Sequence, residues 1–229
     1  YGEIDLVSGA AGLDAVIRMS RGELARIIPG LDLTYPFSGS ASGEFRVTTR
    51  GTAIQVDGRF TSPLLHYLNE GFHFVSARLT WDGDTIAFPE LSFEYYGGSV
   101  GGSWQLGTLG QVMAIDLAAD GIDLRQLAPD LGGRLSFDVR GGGPLGEKNG
   151  AGRFRIEGLL IEPFQPTAAE GDLELRLSLE DLRLLIKGAF SPGDNDITVN
   201  AVIPFVEEGI AVDLRGGFGN MDLLLPWKG

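Results

Sequence analysis

The sequence predicts an all-β protein, an elongated meander of short antiparallel strands with only a few short turns of helix. Apolar and polar residues alternate with period two in many segments, such as Leu173, Leu175 and Leu177 around Glu174 and Arg176. This alternation is typical of strands with one apolar face. Glycine accounts for 35 of the 229 residues, roughly double the usual share of about 7%. These glycines lie between the alternating segments, so they indicate turns and bends.

The first half of the chain is predicted to contain consecutive short strands, two of which form a hairpin. These strands lie at residues 11–19, 44–49, 53–60, 72–81, 85–88, 91–96, 100–106 and 111–117. The hairpin joins 44–49 to 53–60 across Arg50, Gly51 and Thr52. A second turn is predicted at Asp82 and Gly83, since Asp-Gly is a strong hairpin signal.

The second half repeats this pattern. Its predicted strands lie at residues 135–140, 153–159, 172–179, 182–190, 197–203, 210–214 and 221–225. Segments of this length, separated by turn residues every 8–12 positions or so, favour a sheet architecture over a helical one.

The stretch from 122 to 143 is predicted to be a capped helical turn followed by a glycine hinge and a strand. Asp123 is a suitable N-cap residue, and Gln126 lies three residues later, where a capping-box partner belongs. Pro129 ends the turn. Gly132 and Gly133 then redirect the chain before the strand begins.

A similar arrangement occurs earlier in the chain. Ser20 and Glu23 form another capping-box pair, Pro29 ends the turn, and Gly43 precedes a strand. Two copies about 90–100 residues apart suggest an internal repeat, with a boundary near 119–133.

Three helical turns are predicted in all. Ser62 followed by Pro63 is a start signal, with serine at the N-cap and proline at the first helical position. The predicted turns lie at residues 21–28, 63–68 and 124–128.

The composition excludes several classes of function. The formal net charge is −13, which opposes a nucleic-acid partner, because such a partner needs a basic surface. The chain has no cysteine, and His66 and His73 are its only histidines, so we expect neither a metal site nor a cofactor. No nucleophile elbow or phosphate-binding loop is present, and we expect no enzymatic activity.

The chain has features expected of a piece of a longer protein. It begins at Tyr1 without an initiator Met, and it contains no apolar run near the roughly 18 residues of a membrane span. We therefore expect one elongated β-repeat domain over residues 1–229, with any membrane anchor outside it.

The alternation leaves open what the apolar face contacts. In a sandwich, two sheets pack face to face and side chains fill the space between them. Alternatively, one sheet curves into a taco-like groove whose hydrophobic interior stays open, with glycines permitting the bend.

Several segments resemble the TamB family, the translocation and assembly module proteins, and their AsmA-like relatives. The stretch 122–143 resembles the repeated "DL–LAP–L-G-L" element of the family. The segment LSFEYYGGSVGGSWQL, residues 91–106, resembles its "GG-V-G---L" strand pair, and the hairpin 38–60 is in the same style.

The resemblance implies a periplasmic β-groove module, anchored in the inner membrane through another segment. It implies phospholipid acyl chains as ligands, transport toward the outer membrane, and an Omp85-type partner in outer-membrane protein assembly. The alternatives are a scaffold that binds client β-strands by augmentation and a β enzyme that acts on polysaccharide, which would need paired acids in a cleft.

If the apolar face conducts lipid, the apolar members of the alternating strands should line it. These candidates are Phe45, Val47, Phe93, Val100, Trp104, Leu135, Phe137, Val139, Leu173, Leu175, Leu177, Leu184 and Ile186.

Overall fold

The structure of the protein is a computed structural model. It describes residues 2–9, 12–23, 37–50, 53–67, 70–107, 112–127, 131–145, 150–161, 167–178, 183–190, 197–204, 211–218 and 221–228. Their contacts divide the chain into a first unit, residues 1–95 and 100–111, and a second unit, residues 96–99 and 112–229.

The described residues confirm the predicted all-β meander. The strands of the first half are β1 (Gly2–Gly9), β2 (Gly12–Glu23), β3 (Phe37–Arg50), β4 (Ala53–Tyr67), β5 (Glu70–Trp81), β6 (Thr85–Tyr95) and β7 (Gly98–Gly107). Those of the second half are β8 (Val112–Asp123), β9 (Leu131–Pro144), β10 (Gly150–Ile161), β11 (Thr167–Ser178), β12 (Arg183–Phe190), β13 (Ile197–Pro204), β14 (Ala211–Phe218) and β15 (Met221–Lys228). The helical turn α1 (Leu124–Leu127) follows β8.

Strands that are consecutive in the chain are neighbours in the sheet of each unit, and they pair antiparallel. In the first unit, Val47 of β3 lies opposite Ala15 of β2 and Val56 of β4. In the second unit, Val139 of β9 lies opposite Leu117 of β8 and Gly152 of β10. Directly opposed residues share a face of the sheet, so the alternation of each strand extends across its neighbours.

The helical turn predicted at 124–128 is confirmed as α1. The backbone N–H of Arg125 donates to Oδ1 of Asp123 at 3.1 Å, as expected of an N-cap. The reciprocal hydrogen bond of a capping box, from the backbone N–H of Asp123 to the Gln126 side chain, does not form. That N–H donates to the Tyr96 carbonyl at 2.9 Å. The Gln126 amide instead lies 3.5 Å from Oδ2 of Asp123.

The other two predicted helical turns are corrected. Residues 63–67 belong to β4, and 21–23 belong to β2; residue 68 and residues 24–28 lie outside the described residues. The register of β3 and β4 shifts next to Pro63, which marks a bulge where proline needs no ladder partner. The Ser62 hydroxyl donates to the Ser40 carbonyl at 2.7 Å and does not cap a helix.

Two further predictions change in detail, and one strand was missed. Predicted strands 85–88 and 91–96 merge into one strand, β6, which passes an irregularity in its pairing with β5. Gly132 and Gly133 lie inside β9 rather than forming a hinge before it. Strand β1 was not predicted from the sequence.

Two bulges have the same local geometry in the two units. Arg21 in β2 and Gly121 in β8 both have positive φ, at 50° and 73°. The backbone N–H of Arg21 donates to the Ser42 hydroxyl at 2.9 Å, and that of Gly121 donates to the Ser136 hydroxyl at 3.2 Å. Each bulge is therefore held by a serine on the following strand.

Phe74 occupies a strained position at a bulge of β5. Its φ is 49°, which costs a residue with a Cβ roughly 1–2 kcal/mol, and its side chain is 67% exposed. We expect Phe74→Gly to raise the free energy of unfolding by about 0.5–1 kcal/mol, because relief of strain exceeds the added chain entropy. Thermal unfolding followed by circular dichroism measures this change.

The matched control is Phe72→Gly in the same strand. Phe72 packs against the rings of Phe93 and Tyr95 at 5.3 and 5.2 Å, so its removal should cost about 3 kcal/mol. Equal destabilisation by the two substitutions would contradict strain at Phe74.

Candidate functional site: the apolar face of the sheet

The strands of the first unit separate charged from apolar side chains. On the charged face, Arg18 lies directly opposite Glu44 across β2 and β3, with Nε 2.7 Å from the carboxylate. Arg78 contacts Asp57 at 2.9 Å on the same face. The residues between these charged positions form the other face, because successive side chains of a strand point to opposite sides.

We call this second surface the apolar face. In the first unit, cross-strand register and ring contacts place the following large apolar residues on it: Ile17, Phe45, Val47, Val56, Phe60, Leu79, Trp81, Ile86, Phe88, Leu91, Phe93 and Trp104. All of them are half-buried. Ala15 and Ala77, at 4% and 3% exposure, are buried between them.

The partial exposure of the apolar face follows from the layering within each unit. Among the described residues of a unit, extensive contacts join strands that are neighbours in the sheet, or join α1 to β9. All described strands of a unit belong to one sheet, so no second sheet of described strands packs on the face within that unit. Its large side chains are therefore buried by lateral contact with each other.

The predicted lining residues of the first unit fall into two groups. Phe45, Val47, Phe93 and Trp104 are half-buried on the apolar face. Val100 differs, because only 6% of it is exposed.

Ring contacts connect the aromatic members of this set to their neighbours. Phe45 stacks with Phe60 at 6.4 Å. Trp104 stacks with Phe88 at 5.8 Å. Each pair crosses from one strand to the next, so ring contacts join β3 to β4 and β6 to β7 on this face.

The second unit places a similar set on β9 and its neighbours. Leu135 and Phe137 are half-buried and lie opposite Ile156 and Phe154 of β10. Val139 is 1% exposed, so it is a core residue rather than an accessible lining residue.

The other five predicted lining residues lie on β11 and β12. Leu173 is half-buried and pairs with Gly152. The register pairs Leu175 with Ile186 and Leu177 with Leu184. The side chains of these last four residues lie outside the described part of the structure.

Glycines directly opposite phenylalanines are a feature that sequence reasoning missed. A Cβ added at Gly58 would lie 2.4 Å from Cδ1 of Phe45, which is the residue directly opposite it. A Cβ at Gly43 would lie 2.9 Å from Cβ of Phe60, again its direct partner. The ring of Phe45 therefore covers Gly58, while Gly43 lies against the backbone and Cβ of Phe60. The hairpin register reveals both pairs.

Sequence reasoning also missed a polar group at one end of the apolar face. The Tyr95 hydroxyl donates to Oε2 of Glu70 at 2.9 Å. Tyr95 stacks on Phe72 at 5.2 Å. Simple alternation did not reveal this group, because the bulge at Phe74 changes which residues of β5 share a face.

Two shallow concavities occur on the charged face of the first unit. One, of about 520 Å³, is lined by Arg59, Arg78 and Glu90 among other residues. The other, of about 450 Å³, includes Arg46 and Asp57. Their charged groups are joined in ion pairs, which is the arrangement of a solvated sheet surface rather than of convergent reactive groups.

The ion pairs on the charged face predict a small loss of folding stability at low pH. The hydrogen bond from Arg78 lowers the pKa of Asp57 from its usual value, with a smaller contribution from their opposite charges. A lowered pKa means that this stabilisation is present above the unfolded pKa of about 3.9 and is lost as pH falls through the folded pKa. Asp57 is largely exposed, so its contribution should be under about 1 kcal/mol.

We expect Asp57→Asn to lower the melting temperature slightly at pH 6 and to leave it unchanged at pH 2. Melting curves of both proteins at the two pH values measure this difference. A larger effect at pH 2 than at pH 6 would contradict the sign of the pKa shift.

Among the described residues, no group of three or more His, Asp or Glu side chains is arranged to hold a metal ion. The described helix is too short to cross a membrane. Comparisons with protein-family models, with curated proteins and with solved structures gave no match for this chain.

Proposed function

We propose that this chain is a lipid-conducting β module of the TamB and AsmA-like type, and that its apolar face carries phospholipid acyl chains. One observation carries the proposal. The sheet of the first unit has ion pairs on one face and half-buried aromatic and aliphatic side chains on the other, without a second sheet of described strands over that face in the unit. Exposed apolar surface of this kind is typical of interaction sites.

An acyl chain suits this surface better than a polar ligand does. It needs continuous apolar contact over its length, and it gains about 0.8 kcal/mol for each buried CH₂ group. Neighbouring strands present such contact in the Phe45–Phe60 and Phe88–Trp104 pairs. The proposal also includes, through the resemblance alone, a periplasmic location, an inner-membrane anchor outside this chain and an Omp85-type partner.

The test is transfer of fluorescent phospholipid between donor and acceptor vesicles, using wild-type protein and two variants. Trp104→Arg places a charge on the apolar face, and desolvating that charge against an acyl chain costs several kcal/mol. Gln105→Arg makes the same change at the next residue, which is exposed. We expect transfer to fall at least about tenfold for Trp104→Arg and to stay near wild type for Gln105→Arg.

Equal transfer by both variants, with both folded, would contradict the proposal. A scaffold that binds client β-strands predicts a different outcome, namely no transfer by any form of the protein.

A further inference from the structure

The two units differ in which side chains they bury. In the first unit, the buried residues that the structure describes are no larger than valine: Ala15, Ala41, Ser62, Val75, Ala77 and Val100. In the second unit, they include Met113, Ile115, Ile122, Phe154 and Leu159. The first unit therefore leaves its large apolar side chains accessible, whereas the second unit packs many of its own against each other.

The accessible apolar surface is wide in the first unit. On β4, Ile54 is 41% exposed, and Val56 and Phe60 are half-buried. These positions extend over about 20 Å of strand, at roughly 3.3 Å for each residue. Several hydrocarbon chains can lie side by side on a surface of this width, because carbon atoms in contact are only about 4 Å apart.

The accessible apolar surface is narrow on β9 of the second unit. We call Leu135 and Phe137, which are both half-buried, the β9 strip. Val139 bounds the strip on one side, since only 1% of it is exposed. On the other side, α1 packs against β9, and its Leu124 is 7% exposed. The strip extends over about 7 Å of strand, which leaves room for one hydrocarbon chain.

Residues of three strands close the surface beside the strip. A Cβ added at Gly150 on β10 would lie 3.1 Å from Cγ2 of Val139 on β9 and 3.4 Å from Cγ2 of Ile115 on β8. Strands β8 and β10 both pair with β9 and are not neighbours of each other. Ile115 approaches Gly150 because this part of the sheet curves toward the apolar face. Val139 is therefore a rim that the neighbouring strands hold in place.

We propose that the β9 strip carries a single unbranched acyl chain, and that Val139 is a specificity-determining residue that excludes chains with methyl branches. This inference rests on the proposed function and adds the class of acyl chain that the second unit accepts. A methyl branch widens a hydrocarbon chain, so a branched chain must displace Val139 or lose contact with the strip. A misfit of one such group in an apolar site changes selectivity by about tenfold or more.

The first experiment measures this preference by lipid transfer between vesicles. Donor vesicles contain equal parts of two phosphatidylcholines in a fluid carrier lipid, one with palmitoyl chains and one with phytanoyl chains, which add methyl branches to the same chain length. Mass spectrometry of the acceptor vesicles, corrected for exchange without protein, gives the ratio of the two lipids. We expect wild-type protein to transfer the palmitoyl lipid about tenfold faster. Val139→Ala, which removes two methyl groups from the rim, should lower that ratio to about threefold or less.

Val75→Ala is the matched control, because Val75 is a buried valine of the first unit, with 4% exposure, and loses the same two methyl groups. It should keep the wild-type ratio. The ratio compares two lipids in one sample, so it does not depend on the fraction of protein that is folded. A wild-type ratio of one, or equal ratios for Val139→Ala and Val75→Ala, would overturn the inference and leave the lipid module intact.

The second experiment examines each unit by itself and needs no change at Val139. A photoactivatable amino acid is placed at Phe137 in one protein and at Phe45 in another, and each protein is irradiated with vesicles that contain one of the two lipids. We expect adducts of both lipids at Phe45, but at least about tenfold more palmitoyl than phytanoyl adduct at Phe137. Equal adducts of the two lipids at Phe137 would overturn the inference. Absence of adducts at both positions, together with no transfer by the wild-type protein, would refute the proposed function itself.

Discussion

Among the glycines whose surroundings the structure describes, Gly152 should lose the most stability on substitution by alanine. A Cβ at Gly152 would lie 1.7 Å from the Asp138 carbonyl oxygen and 2.7 Å from Cα of Val139. Both atoms belong to the backbone of β9, so the two strands must separate to admit the methyl group. Such overpacking should lower the free energy of unfolding by about 3 kcal/mol or more.

The measurement is the melting temperature, which should fall by about 6–12 °C. Gly101→Ala is the control, because the nearest atom to its added Cβ is the Leu91 carbonyl oxygen at 3.6 Å, an ordinary contact. A Gly152→Ala protein that melts within about 2 °C of the control would show that β9 and β10 are not paired in this register.

Val139→Arg should unfold the second unit, whereas Phe137→Arg should leave it folded. Val139 is 1% exposed, and its Cγ2 would lie 3.1 Å from a Cβ at Gly150. An arginine there would bury a charge without a partner, at a cost of about 3–5 kcal/mol. Phe137 is half-buried, so an arginine at that position can extend its guanidinium into water.

Urea unfolding of both variants measures this difference, and lipid transfer by Phe137→Arg separates stability from function. We expect Phe137→Arg to lose less than about half as much stability as Val139→Arg, and to transfer lipid poorly. If the two variants lose equal stability, the face is an ordinary filled core at both positions.

Local signals in the sequence predicted those parts of the fold that depend on local chemistry. Asp123 caps α1 as expected, since its carboxylate accepts from the N–H of a residue two positions away. The Asp82 turn also formed as expected, with the Asp82 carboxylate accepting from the N–H groups of Asp84 and Thr85. Period-two alternation identified most of the strands, though not β1, and placed Phe45 and Trp104 on the apolar face.

The misassigned segments depend on pairing between distant residues. Ser62 and Pro63 carry a helix-start signal, but pairing with β3 and β5 places them in β4. Alternation also does not distinguish half-buried Phe137 from buried Val139, because exposure depends on packing across neighbouring strands. The bulge at Phe74 lies at a residue other than glycine, so the position of Glu70 beside Tyr95 could not be predicted.

We expect acyl chains to contact the apolar face and not the charged face. A photoactivatable amino acid at Phe45 is compared with the same probe at Glu44, its neighbour on β3, and a probe at Phe137 is compared with one at Asp138, its neighbour on β9. After irradiation in the presence of phospholipid vesicles, we expect lipid adducts at Phe45 and Phe137 and none at Glu44 or Asp138. Equal adducts at both members of a pair, or adducts to protein alone, would contradict this expectation.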